Sequence, residues 1–356
     1  MEDYKQLLDN ILGEILKQGA SDFLIAVNKY PIARIDNRLT PLTQFEILTS
    51  QATEGLCFAM LTEDQRKILL SKKDIDFSYL LNEEARFRVN VFLQRGSFSA
   101  AMRLIPSKIP TMEFLNIPPI VHDFTLRATQ GFFLVVGPSG HGKSTALAAM
   151  IDEINHNRTE HIVTIEDPIE YLYNPDRSVI DQREIGSDAL GFSEALRASF
   201  RQDPNVIMVG EMRDPETIAV AITAAETGHL VFSTLHTNNA AQTIDRIIDA
   251  FPPSQQNQIR AQMAGSLLGI LSRRLIPQVG GGRIAAHELL IANSAVRNLI
   301  RENKTHQLDL VIETSGEEGM ISLNRSLVNL VKQKNITLDQ AQQYSLNPNE
   351  LKLLLK

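Results

Sequence analysis

Apolar residues recur at Leu7, Leu8, Ile11, Ile15 and Leu16, and Gly19 follows them, so the spacing predicts a helix over Asp3 to Gln18. Short strand-like runs come next, at Asp22 to Val27, Pro31 to Ile35, Asp76 to Leu81, Arg86 to Leu93 and Ser97 to Leu104. The last two alternate in polarity and are separated by Gln94, Arg95 and Gly96, which predicts a hairpin. Between the early and late strands, Thr43 to Ser71 has helical spacing. Residues 1–105 therefore read as one α+β unit. Pro106, Pro110, Pro118 and Pro119 follow closely. Proline fixes its own φ and restrains the residue before it, so residues 106–120 predict an extended interdomain linker that can serve as a hinge.

From about residue 121 the pattern becomes strand, turn, helix, repeated. Phe132 to Val136, His161 to Ile165, Val206 to Val209 and His229 to Ser233 are short continuous apolar runs. Helical segments at Lys143 to Ile154, Phe192 to Gln202 and Pro215 to Glu226 alternate with them. Strands apolar on both faces and separated by helices are the mark of a parallel sheet covered on two sides. Helices are predicted to close the chain at Pro253 to Leu275, Ser294 to Arg301, Leu323 to Lys332 and Thr337 to Tyr344, with Thr337 and Gln340 forming a capping box. Residues 121–356 thus read as an α/β unit.

A length of 356 residues fits about two domains, and an apolar fraction of 43% supports two full cores. No apolar run reaches the ~18 residues of a membrane helix, and the polar start MEDYKQLLDN is not a signal peptide. The single cysteine, Cys57, excludes a disulfide framework or a CxxC zinc site and is expected to be buried. His287-Glu288 begins like a zinc motif, but Ile291 stands where the second histidine belongs. A net charge of −7 and the absence of Trp argue against a nucleic-acid-coating role. A cytosolic location is the expectation.

The chemistry begins at Gly137-Pro-Ser-Gly-His-Gly-Lys-Ser144, a match to G-x-x-x-x-G-K-S/T between a buried strand and a helix, with Thr145 next. Gly137, Ser139, Gly140, His141 and Gly142 would wrap phosphates with their amides. Lys143 would add charge at the outer phosphates, and Ser144 would offer a hydroxyl to Mg²⁺. An acid must help hold the metal and another should orient water. Glu211 ends the apolar strand at 206–209, and Glu166, Asp167 and Glu170 crowd the run from Thr164 to Glu170. Acids at the C-terminal edge of a parallel sheet lie where ligands bind. His229 and His236 bracket another strand-like run and can serve the phosphate or the structure. Arg197 and Arg201 share a helix face at i, i+4.

The loop, the Glu166-Asp-Pro-Ile-Glu170 acids, the Val209-Gly-Glu211 strand end and the segment from Gly228 through Ser233-Thr-Leu-His-Thr-Asn-Asn-Ala240 occur here in the order seen in the type II/type IV secretion and pilus ATPases. Ala295-Val-Arg-Asn-Leu-Ile-Arg-Glu302 is similar to a segment of the family's pilus-retraction branch, with Val296 where Ile is usual. Ala20-Ser-Asp-Phe-Leu24 resembles that branch's opening, with Phe23 a departure. The resemblance spans nearly the whole chain. It implies a PAS-like N-terminal domain, a RecA-like P-loop ATPase domain, ATP and Mg²⁺ as ligands, nucleotide between the two domains and a homohexameric ring.

Carried over by motif, the resemblance makes Glu170 the catalytic glutamate, Glu211 the Walker B glutamate, and His229 and His236 the histidine box. Glu166 joins Ser144 and Glu211 as a metal candidate. Arg88, Arg95 and Arg103, on the hairpin before the linker, match arginines that would neutralise the γ-phosphate. The implied function is a motor in the cytoplasm at the inner face of the membrane, working on an inner-membrane, PilC-like platform protein to draw pilin from a pilus. Other retraction or assembly ATPases are implied as further partners, and membrane association only through partners. A pilus-assembly or secretion ATPase and an accessory retraction paralogue are the alternatives, with a nucleic-acid translocase behind them. Assembly ATPases usually add an N-terminal domain and often a tetracysteine insert, for which this chain has no room.

Overall fold

A computed structural model describes residues 2–35, 38–81, 85–105 and 108–355, and the chain divides into two compact units, 1–108 with 170–172, and 109–169 with 173–356. In the first unit the amphipathic run at the start forms α1 (Glu2–Lys17). Strands β1 (Asp22–Ile25), β2 (Ile32–Ile35) and β3 (Arg38–Pro41) follow. The stretch expected to be helical over 43–71 is two helices, α2 (Ser50–Ala59) and α3 (Glu63–Lys72). They are separate because Thr62 starts α3 with a reciprocal capping box to Gln65, which needs extended backbone at Thr62. Strands β4 (Asp74–Leu81), β5 (Ala85–Gln94) and β6 (Ser97–Ile105) complete an antiparallel sheet ordered β3-β2-β1-β6-β5-β4.

The predicted hairpin is present between β5 and β6 with a turn of two residues, Arg95 and Gly96, at φ 49° and 78°. Paired positive φ values match the twist of the flanking strands. The alternating strands bury one face: Phe23, Phe77, Phe87, Val89 and Val91 meet Leu8, Ile11, Leu12 and Ile15 of α1, with buried Cys57 from α2 in the same core. Burial pushes the Cys57 thiol up to about 12, so it stays protonated and inert.

The second unit opens with a correction. Pro106 of the expected linker lies outside the described residues, and 111–117 is a tight turn rather than an extended strap. Ile117 N–H donates to Met112 O at 3.0 Å, Asn116 takes φ 55°, and Met112 is fully buried. Burying Met112 and Ile117 outweighs the extended preference of the flanking prolines, and Pro119 instead occupies the first position of α4 (Pro119–Arg127).

Then come β7 (Gly131–Val136), α5 (Lys143–Asn157), β8 (His161–Glu166), β9 (Val179–Glu184), α6 (Phe192–Ser199), β10 (Val206–Val209), α7 (Pro215–Glu226), β11 (Leu230–Leu235), α8 (Ala240–Asp249) and α9 (Pro253–Ser266). The remainder is β12 (Leu267–Pro277), β13 (Arg283–Ile291), α10 (Ser294–Arg301), α11 (Leu308–Thr314), α12 (Leu323–Lys332), α13 (Leu338–Tyr344) and α14 (Pro348–Leu354).

The second sheet runs β13-β12-β7-β11-β10-β8-β9, parallel from β12 to β9 with β13 antiparallel at the edge. Strands β7, β10 and β11 are buried at every residue, as strands covered on both faces must be. The expected long helix from 253 to 275 is overturned: it stops at Ser266, and 267–277 is strand. A short run apolar on both faces does not distinguish helix from buried strand. Gly269 decides it locally, since a Cβ there would sit 2.9 Å from Leu290 O and 3.1 Å from the Phe133 ring, a spacing only a glycine strand tolerates. Helices α12 to α14 form a separate apolar cluster against Ile276 and Ala286 of the β12–β13 hairpin.

Candidate active site

The loop from Gly137 to Gly142 joins the buried strand β7 to α5, at the C-terminal edge of the parallel sheet. Gly137 has φ 144°, and a Cβ on it would meet Arg273 O at 2.4 Å, so the loop can leave β7 this close to β12 only as glycine. Gly142 caps α5 in the left-handed region and, as glycine, offers the first turn no capping side chain. The first-turn amides of Lys143, Ser144 and Thr145 lie at the positive end of the helix, the place where helices bind phosphate.

Lys143 is buried, and its Nζ donates to Gly137 O and Pro138 O at 3.0 Å each. It also lies 3.4 Å from Nδ1 of His236, at the C-terminal end of β11. His236 Nε2 in turn lies 3.4 Å from Glu211 Oε2, just past β10. Glu211 Oε1 accepts from Arg213 Nη2 at 2.6 Å, and this bond raises the arginine's pKa and keeps it charged. Three strand ends thus bring an ammonium, an imidazole, a carboxylate and a guanidinium together. Arg213 belongs to no motif of the sequence. Its only signal is its place two residues after the strand-end acid.

Glu166 is buried at the end of β8, where Oε1 accepts from Thr164 Oγ1 at 2.7 Å and Gln182 Nε2 at 3.3 Å. For Mg²⁺ the donor set is fitting in kind: the exposed Ser144, and Glu211, whose buried Oε2 has the His236 ring nitrogen 3.4 Å away but makes no hydrogen bond among the described residues. Magnesium takes hard oxygen ligands, commonly one or two carboxylates beside substrate phosphates. Glu170 follows β8 and belongs to the short stretch 170–172 that groups with the first unit.

His229 precedes β11, at the opposite edge of the sheet from His236, where its carbonyl accepts from Gly131 N–H at 3.0 Å. The strand places it about 23 Å from His236 by the usual rise per residue. Its Nδ1 is 3.0 Å from Ala224 O and its ring lies 5.6 Å from that of Phe200, so within one chain it closes the end of α7 and does not join Lys143 and Glu211.

The three arginines lie in the first unit. Arg88 and Arg103 are cross-strand partners on β5 and β6 and share the solvent face. Arg103 Nε donates to Asp22 Oδ1 at 3.0 Å, and Arg95 is exposed at the hairpin turn. Arg197 is held by Glu216 at 2.7 Å, as an exposed ion pair.

A family model described as "Type II/IV secretion system protein" matches residues 2–281. The chain belongs to the type II/IV secretion system protein family. It is 43% identical over 336 residues, 94% of this chain and 97% of the relative, to the type IV pilus retraction ATPase PilT of Pseudomonas aeruginosa. It is 45% identical over 305 residues to a twitching motility protein of Neisseria gonorrhoeae, covering 85% of this chain and 81% of that one. A crystal structure of the pilus retraction motor PilT with bound ADP superposes with a TM-score of 0.91 at 45% identity, over 97% of this chain and 98% of that one. The secretion-family chain is accordingly a nucleotide-binding ATPase with a RecA-like unit preceded by a smaller α+β, PAS-like unit.

Proposed function

We propose that this chain is a motor ATPase that powers type IV pilus retraction, and with it twitching motility. The observation that carries the reading is the convergence of Lys143, His236 and Glu211 at the glycine-rich loop that opens α5. It is supported by the likeness along almost the full length to PilT of Pseudomonas aeruginosa.

In this mechanism the amides of Ser139, Gly140, Gly142, Lys143, Ser144 and Thr145 hold the triphosphate, and Lys143 exchanges its carbonyl partners for phosphate oxygens. Ser144 and Glu211 would hold Mg²⁺, with Glu166 behind them, fixed by Thr164 and Gln182. When bound, the metal neutralises charge on the transferring phosphoryl group. Glu170 accepts a proton from, or orients, the attacking water. Arg88, Arg95 and Arg103 supply the remaining positive charge from the first unit, so that chemistry is complete only when the two units are brought into the productive arrangement. The active particle is a homohexamer in the cytoplasm, on the inner face of the membrane. Among the described residues no helix is long and apolar enough to cross a membrane, and a membrane platform protein is the proposed load.

The test is steady-state ATP hydrolysis by the sized oligomer. Lys143→Ala and Glu170→Gln should both abolish turnover, and normal hydrolysis by the first would refute the site. A deletion strain should carry excess surface pili, whereas a bald strain would point to assembly. Full activity from a strict monomer would remove the ring.

A further inference from the structure

The crest of the phosphate loop is tied to the neighbouring strand by a side chain that the loop motif leaves unspecified. Strand β7 pairs with β12 as far as Val136 and Ser272, then turns into the loop. Strand β12 runs on, with Leu275 opposite Ala285 of β13 on its other edge. Past Ser272, an amide on the β7 side needs another acceptor, since a buried N–H left unpaired is costly. His141 provides it: Leu275 N–H donates to His141 Nδ1 at 2.9 Å. The Leu275 side chain also reaches the loop, with Cδ1 3.5 Å from where a Cβ on Gly142 would stand. Gly140 and Gly142, on either side of His141, have φ 77° and 75°. Glycines at these angles constrain the backbone least, so the crest depends on what its one large side chain grips.

An accepting Nδ1 fixes the neutral tautomer with its proton on Nε2. Burial, and then the charges of Arg274, Lys143 and Arg283, hold the His141 pKa below its ordinary value. The ring is therefore neutral near pH 7 and the bond is made.

We infer that His141 is a positioning residue for the nucleotide. It straps the crest of the loop to Leu275, so that the amides around Lys143 are already set for the triphosphate before it arrives. Its loss weakens nucleotide capture and leaves the chemical step largely alone. The inference rests on the reading of residues 137–145 as the phosphate site.

The test compares KM and kcat for ATP in the full-length oligomer of wild type, His141→Ala, His141→Leu and His141→Asn, each with its melting temperature in the absence of nucleotide. Asparagine carries an acceptor oxygen on Cγ, where histidine carries Nδ1, so it can take the same N–H. Leucine fills the space without an acceptor and serves in place of alanine if that variant does not fold. The expected result is a KM raised roughly tenfold in the Ala and Leu variants with kcat within about twofold, and a KM within about threefold of wild type in the Asn variant. A wild-type KM in the Leu or Ala variant overturns the strap, as does an Asn variant impaired as much as Leu. A wild-type protein that neither binds nor hydrolyses ATP would instead remove the phosphate-site reading itself.

Discussion

On the β12–β13 hairpin, Arg273 and His287 are cross-strand partners, and Glu288 follows on the other face. All three are buried. Burial, then the neighbouring Arg273, depresses His287 to about 3, and burial raises Glu288 to about 7 against the hydrogen bond it accepts from Ala240 N–H. Their pH limbs oppose each other. Below the ordinary histidine value the unfolded chain takes up a proton that folded His287 refuses, so stability falls as pH drops from 6.5 towards 3. Between 4.5 and 7 folded Glu288 holds a proton that the unfolded chain releases, so stability falls as pH rises, by roughly 3 kcal/mol in all.

Where the two windows overlap, the slopes offset. Glu288→Gln keeps an acceptor for Ala240 N–H and should expose the acid limb alone, gaining roughly 3 kcal/mol at pH 8. His287→Leu should expose the opposite limb. Urea unfolding between pH 4 and 8 checks both, and unchanged pH profiles would show that neither group titrates as its surroundings dictate.

Between elements, the junction of α9 and β12 hangs on Arg297 of α10. Its guanidinium donates to Ala292 O, Ala264 O, Gly265 O and Leu267 O, at 2.9, 2.6, 2.6 and 2.8 Å in turn. Carbonyls at the end of a helix have no partner of their own, and a planar fork of donors satisfies several at once. Arg297→Ala should lower stability by about 2–4 kcal/mol, with Arg297→Lys recovering only part. A melting curve reads this directly, and a fully stable alanine variant would show that the junction does not depend on these four bonds. Thr62→Ala removes the reciprocal cap of α3 and should cost about 1 kcal/mol by the same measurement.

Legibility at this scale followed the strength of local signals. The strand–loop–helix frame around residues 137–142, β10, α7, α12 and the capping box at Thr337 and Gln340 could be read because periodicity, turn chemistry and capping agreed. Strand β12 could not, since its burial on both faces erases periodicity. Strand β9 was missed because it is a half-exposed sheet edge with a mostly polar sequence. That His229 and His236 bracket one strand was legible, because a short apolar run flanked by polar residues marks its own two ends.

At the scale of the whole chain, each unit encloses its own apolar cluster, one built around α1 and the antiparallel sheet and the other around the parallel sheet. Separate cores license separate unfolding steps, so the full chain without nucleotide should denature in two resolved transitions. Leu12→Ala opens a cavity in the first core alone and should lower only the first unit's transition, by about 2–5 kcal/mol. Ligands then report on the motor. On the proposed site ADP engages only the loop of the second unit, so at about a hundred times its Kd it should raise that unit's transition by about 2.7 kcal/mol and leave the other in place. A non-hydrolysable triphosphate carries the γ-phosphate that the proposed arginines of the first unit are to meet, so it should raise both. Arg88→Ala should return the first unit's transition towards its ADP position while the second stays raised. If both transitions respond alike to ADP and to the triphosphate analogue, the γ-phosphate is not what engages the first unit, and hydrolysis has no route through those arginines to movement.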